Sequence, residues 1–106
     1  MPASVFEGYH EHFVEEARLV ILRALAEQSD YRLNDSLIVQ VLNSYAFNKG
    51  RDFVRAQLEW LEQSAGAVTL TVMGSSVVAE ITETGLEHVG RSRRLPGIKP
   101  MSPTRR

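Results

Sequence analysis

The chain has 106 residues, no cysteine and a formal net charge of −1, a length that suits one domain with a modest core and is too short for two. Without cysteine there is no disulfide, thiolate metal site or cysteine nucleophile, so packing alone must hold the domain together. No apolar run approaches the roughly 20 residues of a membrane span. Met1-Pro2-Ala3-Ser4 leads into Glu7 and Glu11 rather than into a basic and apolar signal region, so a soluble cytoplasmic protein is expected.

The small net charge hides an asymmetry. Residues 1–90 carry thirteen acidic against six basic side chains, a balance of −7, whereas residues 91–106 carry six basic and no acidic ones, +6. A polyanion is attracted to the second segment and repelled by much of the first.

Ser4 has the chemistry of a helix N-cap, with Glu7 as its capping-box partner. Phe6, Tyr9, Phe13, Ala17, Val20, Ile21, Ala24 and Leu25 then keep the helical period, and the helix is expected to end near Gln28. Ser29-Asp30-Tyr31-Arg32 is turn chemistry. Asn34 caps a second helix that runs to about Ala46 and places Ile38, Val41, Leu42 and Tyr45 on one face. After the turn Phe47-Asn48-Lys49-Gly50, a third helix spans Arg51 to Ser64, its stripe of Val54, Leu58 and Leu61 flanked by Phe53 and Trp60. Trp60 reads as an apolar lid rather than a base-stacking platform.

Gly66 is placed to end that helix in a left-handed conformation. Val68, Leu70 and Val72 alternate with Thr69 and Thr71, Gly74-Ser75-Ser76 supplies a turn, and Val77, Ala79 and Ile81 alternate with Val78 and Glu80, which is a hairpin. Thr82 caps a short fourth helix carrying Leu86 and Val89. Beyond Gly90, Pro96, Pro100 and Pro103 bar further helix and large apolar residues are few. Residues 91–106 are therefore expected to form a flexible basic tail on a domain of residues 1–90. The order of elements predicts an α+β winged helix-turn-helix: three helices, a two-stranded β-hairpin wing and a short C-terminal helix. Ile38, Leu42, Val54, Leu58, Leu61, Val68 and Ile81 are expected in its one core.

Such a domain meets duplex DNA through its third helix and wing. Asn48, Lys49, Arg51 and Arg55 cluster where helix 3 begins, a place that welcomes phosphate and from which arginine can read guanine. Ser75 and Ser76 can touch phosphate at the wing tip, and Arg91, Arg93 and Arg94 supply sequence-tolerant attraction. Asp52, Glu59 and Glu62, on the same helix, oppose it. Phe6, Tyr9 and Phe13 lie beyond the compact three-helix unit and predict a homodimer interface, unless the same chain covers them.

For catalysis the chain offers little. His10 and His12 are two residues apart, too close to share a helix face, and His88 stands alone. Glu15-Glu16 and Glu59 with Glu62 are ordinary on exposed helix faces, and no nucleophile or phosphate-binding glycine loop accompanies them. A non-enzyme with no catalytic, cofactor or metal site is expected.

Arg18-Leu19-Val20-Ile21-Leu22-Arg23, Tyr31-Arg32-Leu33-Asn34, Arg51-Asp52-Phe53-Val54-Arg55, Leu58-Glu59-Trp60-Leu61, Ile81-Thr82-Glu83-Thr84-Gly85 and Leu95-Pro96-Gly97-Ile98-Lys99-Pro100 together resemble a family of small proteins of Mu-like phages and prophages, often labelled ArsR-like winged-helix regulators. The resemblance covers nearly the whole chain. It implies a winged helix, a phage setting in the cytoplasm of a bacterial host, and transcriptional regulation. It does not carry over metal sensing, which in ArsR repressors typically uses cysteine thiolates. The competing reading is a phage assembly or DNA-packaging accessory protein whose acidic body docks a protein partner and whose basic tail orders on binding.

Overall fold

The computed structural model describes residues 4–102, with side chains from residue 8 onward. Its elements are α1 (Ser4–Ala26), β1 (Arg32–Asn34), α2 (Asp35–Ser44), α3 (Arg51–Gln63), β2 (Val68–Met73), β3 (Ser76–Ile81) and α4 (Glu83–Val89). Among the described residues the fold is α+β, with four helices and one three-stranded antiparallel sheet of order β1-β3-β2, compatible with a winged helix. No helix among them is long and apolar enough to cross a membrane.

Local chemistry accounts for the boundaries. The Asn34 side chain accepts the Leu37 N–H at 2.8 Å and starts α2. Thr82 Oγ1 accepts the Gly85 N–H at 3.2 Å and donates to the Gly66 carbonyl at 2.7 Å, so one hydroxyl caps α4 and ties it to the end of α3. Gly85 lets α4 lie against the base of the hairpin, since a Cβ there would sit 2.5 Å from the Ala67 carbonyl oxygen. Met73 pairs with Ser76, which makes the hairpin turn two residues, Gly74-Ser75, with Gly74 at φ +63°. Ser76 therefore belongs to β3 and not to the turn. The proposed Ser4 cap lies outside the described side chains.

β1 is a strand that the sequence did not announce. Tyr31 turns the chain at φ 63°, and Arg32, Leu33 and Asn34 then pair antiparallel with Glu80, Ala79 and Val78, so the expected two-stranded hairpin is part of a three-stranded sheet. Three residues are too few to show a period of two.

All seven expected core residues are buried: Ile38, Leu42, Val54, Leu58, Leu61, Val68 and Ile81. In α1, burial extends beyond the expected stripe to Leu19 and Leu22, leaving the second half apolar nearly all round. A helix of this kind must be covered on more than one side.

The cover corrects the expectation of a flexible tail after Gly90. Leu95 and Ile98 join the core at 7% and 3% exposure, and Met101 packs against it. Lys99 N–H reaches the Glu15 carbonyl at 3.2 Å, and Arg18 Nη1 donates to the Gly97 carbonyl at 2.8 Å. Gly97, at φ +83°, fits beneath Trp60, where a Cβ would come within 2.6 Å of the ring. His88, 1% exposed, fastens the segment from both sides: Nδ1 accepts the Leu95 N–H at 3.0 Å and Nε2 faces the Lys99 carbonyl at 2.9 Å. These partners fix the neutral Nε2–H tautomer. Residues 91–102 thus belong to the same packed unit. Two buried apolar anchors and backbone hydrogen bonds offset the chain entropy that composition alone left unopposed. Arg105 and Arg106 lie outside the described residues.

Candidate nucleic-acid interface

The structure gathers two of the four residues expected at the start of helix 3, Arg51 and Arg55, around one feature that the sequence does not announce, the carboxylate of Asp35. Asp35 opens α2, next to the Asn34 cap, and its side chain is fully enclosed. Arg55 Nε lies 2.7 Å from Asp35 Oδ2, and Arg51 Nε lies 3.5 Å from the same oxygen. The guanidinium of Arg55 also donates to the Ser75 carbonyl at 2.6 Å, and that of Arg51 donates to Ser36 Oγ. One buried carboxylate therefore connects the start of α2, the start of α3 and the hairpin turn. The two arginine side chains keep 46% and 37% of their exposure, so both still present N–H donors to solvent.

Burial alone would raise the pKa of Asp35. The hydrogen bond from Arg55, the nearby Val77 N–H and the charges of Arg51 and Arg55 outweigh it, and the carboxyl is held below the ordinary carboxylate range. Oδ1 has no hydrogen-bond partner of standard geometry among the described residues.

Asn48 and Lys49 lie in the same turn, held by Asn48 at φ 53° and by the Lys49 N–H on Asn43 Oδ1 at 3.1 Å. Lys49 Nζ sits 5.5 Å from the ring centroids of both Phe13 and Phe53. Ser75 is exposed at the turn, but its carbonyl is committed to Arg55. The outward face of α3 carries Asp52, Ala56, Glu59 and Gln63, and the hairpin exposes Val72 at 75% and Met73 at 54%.

Arg91, Arg93 and Arg94 do not join this group. They follow α4 and line a separate cavity of about 190 Å³ with His88, Pro100 and Met101, so they are not spaced along an extended arm. Nor does the proposed dimer surface remain whole. Phe13 packs edge-on against Phe47 and Phe53 at 5.0 and 6.0 Å between centroids, which makes it part of this chain's own packing. Tyr9 is exposed at 69%, and Phe6 lies outside the described side chains.

Asp35 and His88 hold structural contacts that the sequence did not announce. An acid beside a helix cap reads as dipole support, and only the positions of Arg51 and Arg55 on the next helix reveal its role.

The chain is 33% identical over 89 residues to the uncharacterized protein gp26 of Escherichia phage Mu, an alignment spanning 84% of this chain and 91% of that one. It is 34% identical over 85 residues to an uncharacterized protein of Haemophilus influenzae, spanning 80% and 82%. No family model and no solved structure matches it.

Proposed function

This chain belongs to the family of the phage Mu protein gp26, and we propose that it is a winged helix-turn-helix protein that binds duplex DNA in a Mu-like phage or prophage, with transcriptional regulation as its setting. The observation that carries the reading is the Asp35 device. It fixes Arg51 and Arg55 on the first turns of α3 and ties Arg55 to the hairpin turn, so α3 presents a jointly oriented pair of guanidinium groups next to the wing. Arginines pre-oriented by a buried acid suit bidentate contacts to phosphate or to a guanine edge. Lys49, in the turn before α3, adds a third cation. The role is binding, without catalysis.

A second reading draws on the neighbouring surface. Asp52 and Glu59 on the outward face of α3, with Val72 and Met73 exposed on the hairpin, favour a protein partner with a basic and apolar surface, as in a phage assembly or DNA-packaging accessory protein.

The test is fluorescence anisotropy with random and phage-derived duplexes over a salt series. DNA reading predicts that Arg55→Ala lowers the preference for the best site by about 1–3 kcal/mol, the value of one bidentate base contact. Lys49→Ala should instead weaken all duplexes alike and flatten the log-affinity against log-salt slope by about 0.9. If Arg51→Ala and Arg55→Ala leave every affinity unchanged, α3 does not read DNA and the docking reading replaces it.

A further inference from the structure

We propose that the cavity at the end of α4 is a binding site for a phosphate group. It is lined by Arg91, Arg93 and Arg94 together with His88, Pro100 and Met101, in a volume of about 190 Å³. A water occupies about 30 Å³, so a tetrahedral oxyanion and a few waters fit. Against three positive charges stands one carboxylate, Glu87, whose Oε1 lies 2.7 Å from Arg93 Nε. Arg94 makes no ion pair among the described residues, and Arg91 commits only Nη1, to the Ser102 carbonyl at 3.2 Å. The pocket thus holds a surplus of two positive charges and unused donors in fork geometry, which matches phosphate.

A helix C-terminus ordinarily repels anions. Here the last carbonyls of α4 are occupied. Leu86 accepts from the Gly90 N–H at 2.8 Å, His88 from Arg91 at 3.1 Å, and Glu87 from Ser92 and Arg93 at 2.9 and 3.2 Å. The helix end is a Schellman closure, and the residue that takes its left-handed position is Arg91, at φ 70°. Glycine is the relaxed choice there, yet the chain has its glycine one residue earlier, at Gly90, with φ −80°. An arginine held in a conformation that favours glycine points to a use for its side chain.

The phosphate can be that of a nucleic-acid backbone or of a small phosphorylated molecule. The site does not rest on the DNA-binding reading of α3, because Arg94→Ala acts on this pocket and Arg55→Ala on that face. The experiment is titration of the full chain with inorganic phosphate, followed through its amide NMR signals, then repeated in the presence of a short random duplex. Saturable binding with Kd below about 1 mM is expected, with shifts centred on residues 87–102. Arg94→Ala should weaken it about tenfold or more at an unchanged melting temperature. Arg91→Gly should weaken it comparably while raising the melting temperature, a combination that loss of structure cannot produce. Displacement of phosphate by the duplex identifies the nucleic-acid source, and binding indifferent to the duplex identifies the small-molecule source. Absence of saturable phosphate binding overturns the proposal, as does binding that both variants leave unchanged.

Discussion

Asp35→Asn is the most informative single change, because it keeps the shape of the side chain and removes the charge on which Arg51 and Arg55 converge. Breaking a fully buried pair costs about 3–5 kcal/mol. Here the partners are 46% and 37% exposed and can return to water, so the loss should resemble that of charge-assisted hydrogen bonds, about 1.5–3 kcal/mol at neutral pH. The pH dependence carries a sign. The folded pKa of Asp35 is lowered from 3.8, so its contribution is fully present above that value and is lost as pH falls through the folded pKa. The gap in unfolding free energy between wild type and Asp35→Asn should therefore be constant near neutrality and shrink below about pH 4, by up to about 1.4 kcal/mol per pH unit. Urea unfolding of both proteins at a series of pH values measures this, and using the difference cancels the other carboxylates. A gap that is absent at neutral pH, or that persists unchanged into strong acid, would refute the pairing argument.

Leu58→Ala, at a fully buried position in α3, should cost about 2–5 kcal/mol in the same assay, and an unchanged denaturation midpoint would remove the central packing claim. His88→Ala removes the two side-chain hydrogen bonds that His88 makes to the C-terminal segment and should open the bonds after Arg91, Arg93 and Arg94 to trypsin while the helices stay folded. Gly97→Ala, whose Cβ would lie 2.6 Å from Trp60, should do the same and shift the emission of the chain's one tryptophan; resistance equal to wild type in both variants would contradict the clasp. A homodimer through the start of α1 predicts twice the monomer mass by sedimentation at micromolar concentration, reduced by Tyr9→Glu, and a monomer throughout would discard it.

The helices and the hairpin were legible because their signals are local: Asn34 and Thr82 as caps, a period of 3.6 through Val54, Leu58 and Leu61, and alternation on both sides of Gly74. β1 was not, because Arg32–Asn34 acquires its identity only by pairing with β3. The C-terminal segment failed for a related reason. Its two apolar anchors, Leu95 and Ile98, look too few when counted alone, and the need for them is written elsewhere, in Leu19 and Leu22 on a second side of α1. The Asp35 cluster failed because a buried charge is defined by partners sixteen and twenty residues away, a spacing with no periodic signature.

The packed C-terminus also alters the electrostatic argument. Read along the chain, a body of −7 and a tail of +6 make a strong dipole with a free basic arm. In the fold, Lys99 Nζ lies 3.6 Å from Glu16 Oε2 and Arg93 is paired with Glu87, so part of the tail's charge is returned to the acidic body. Arg91 and Arg94 keep their charge available in a fixed recess. An extended arm would attract any polyanion without fixing its position, whereas a recess sets where one phosphate sits relative to the domain. The same trade occurs at α3, where Asp35 reduces the net charge of Arg51 and Arg55 and fixes their direction. Both places therefore exchange long-range attraction for geometry. The expected mark is weak non-specific affinity, with a salt slope set by a few contacts of about −0.9 each and not by the six charges of the tail.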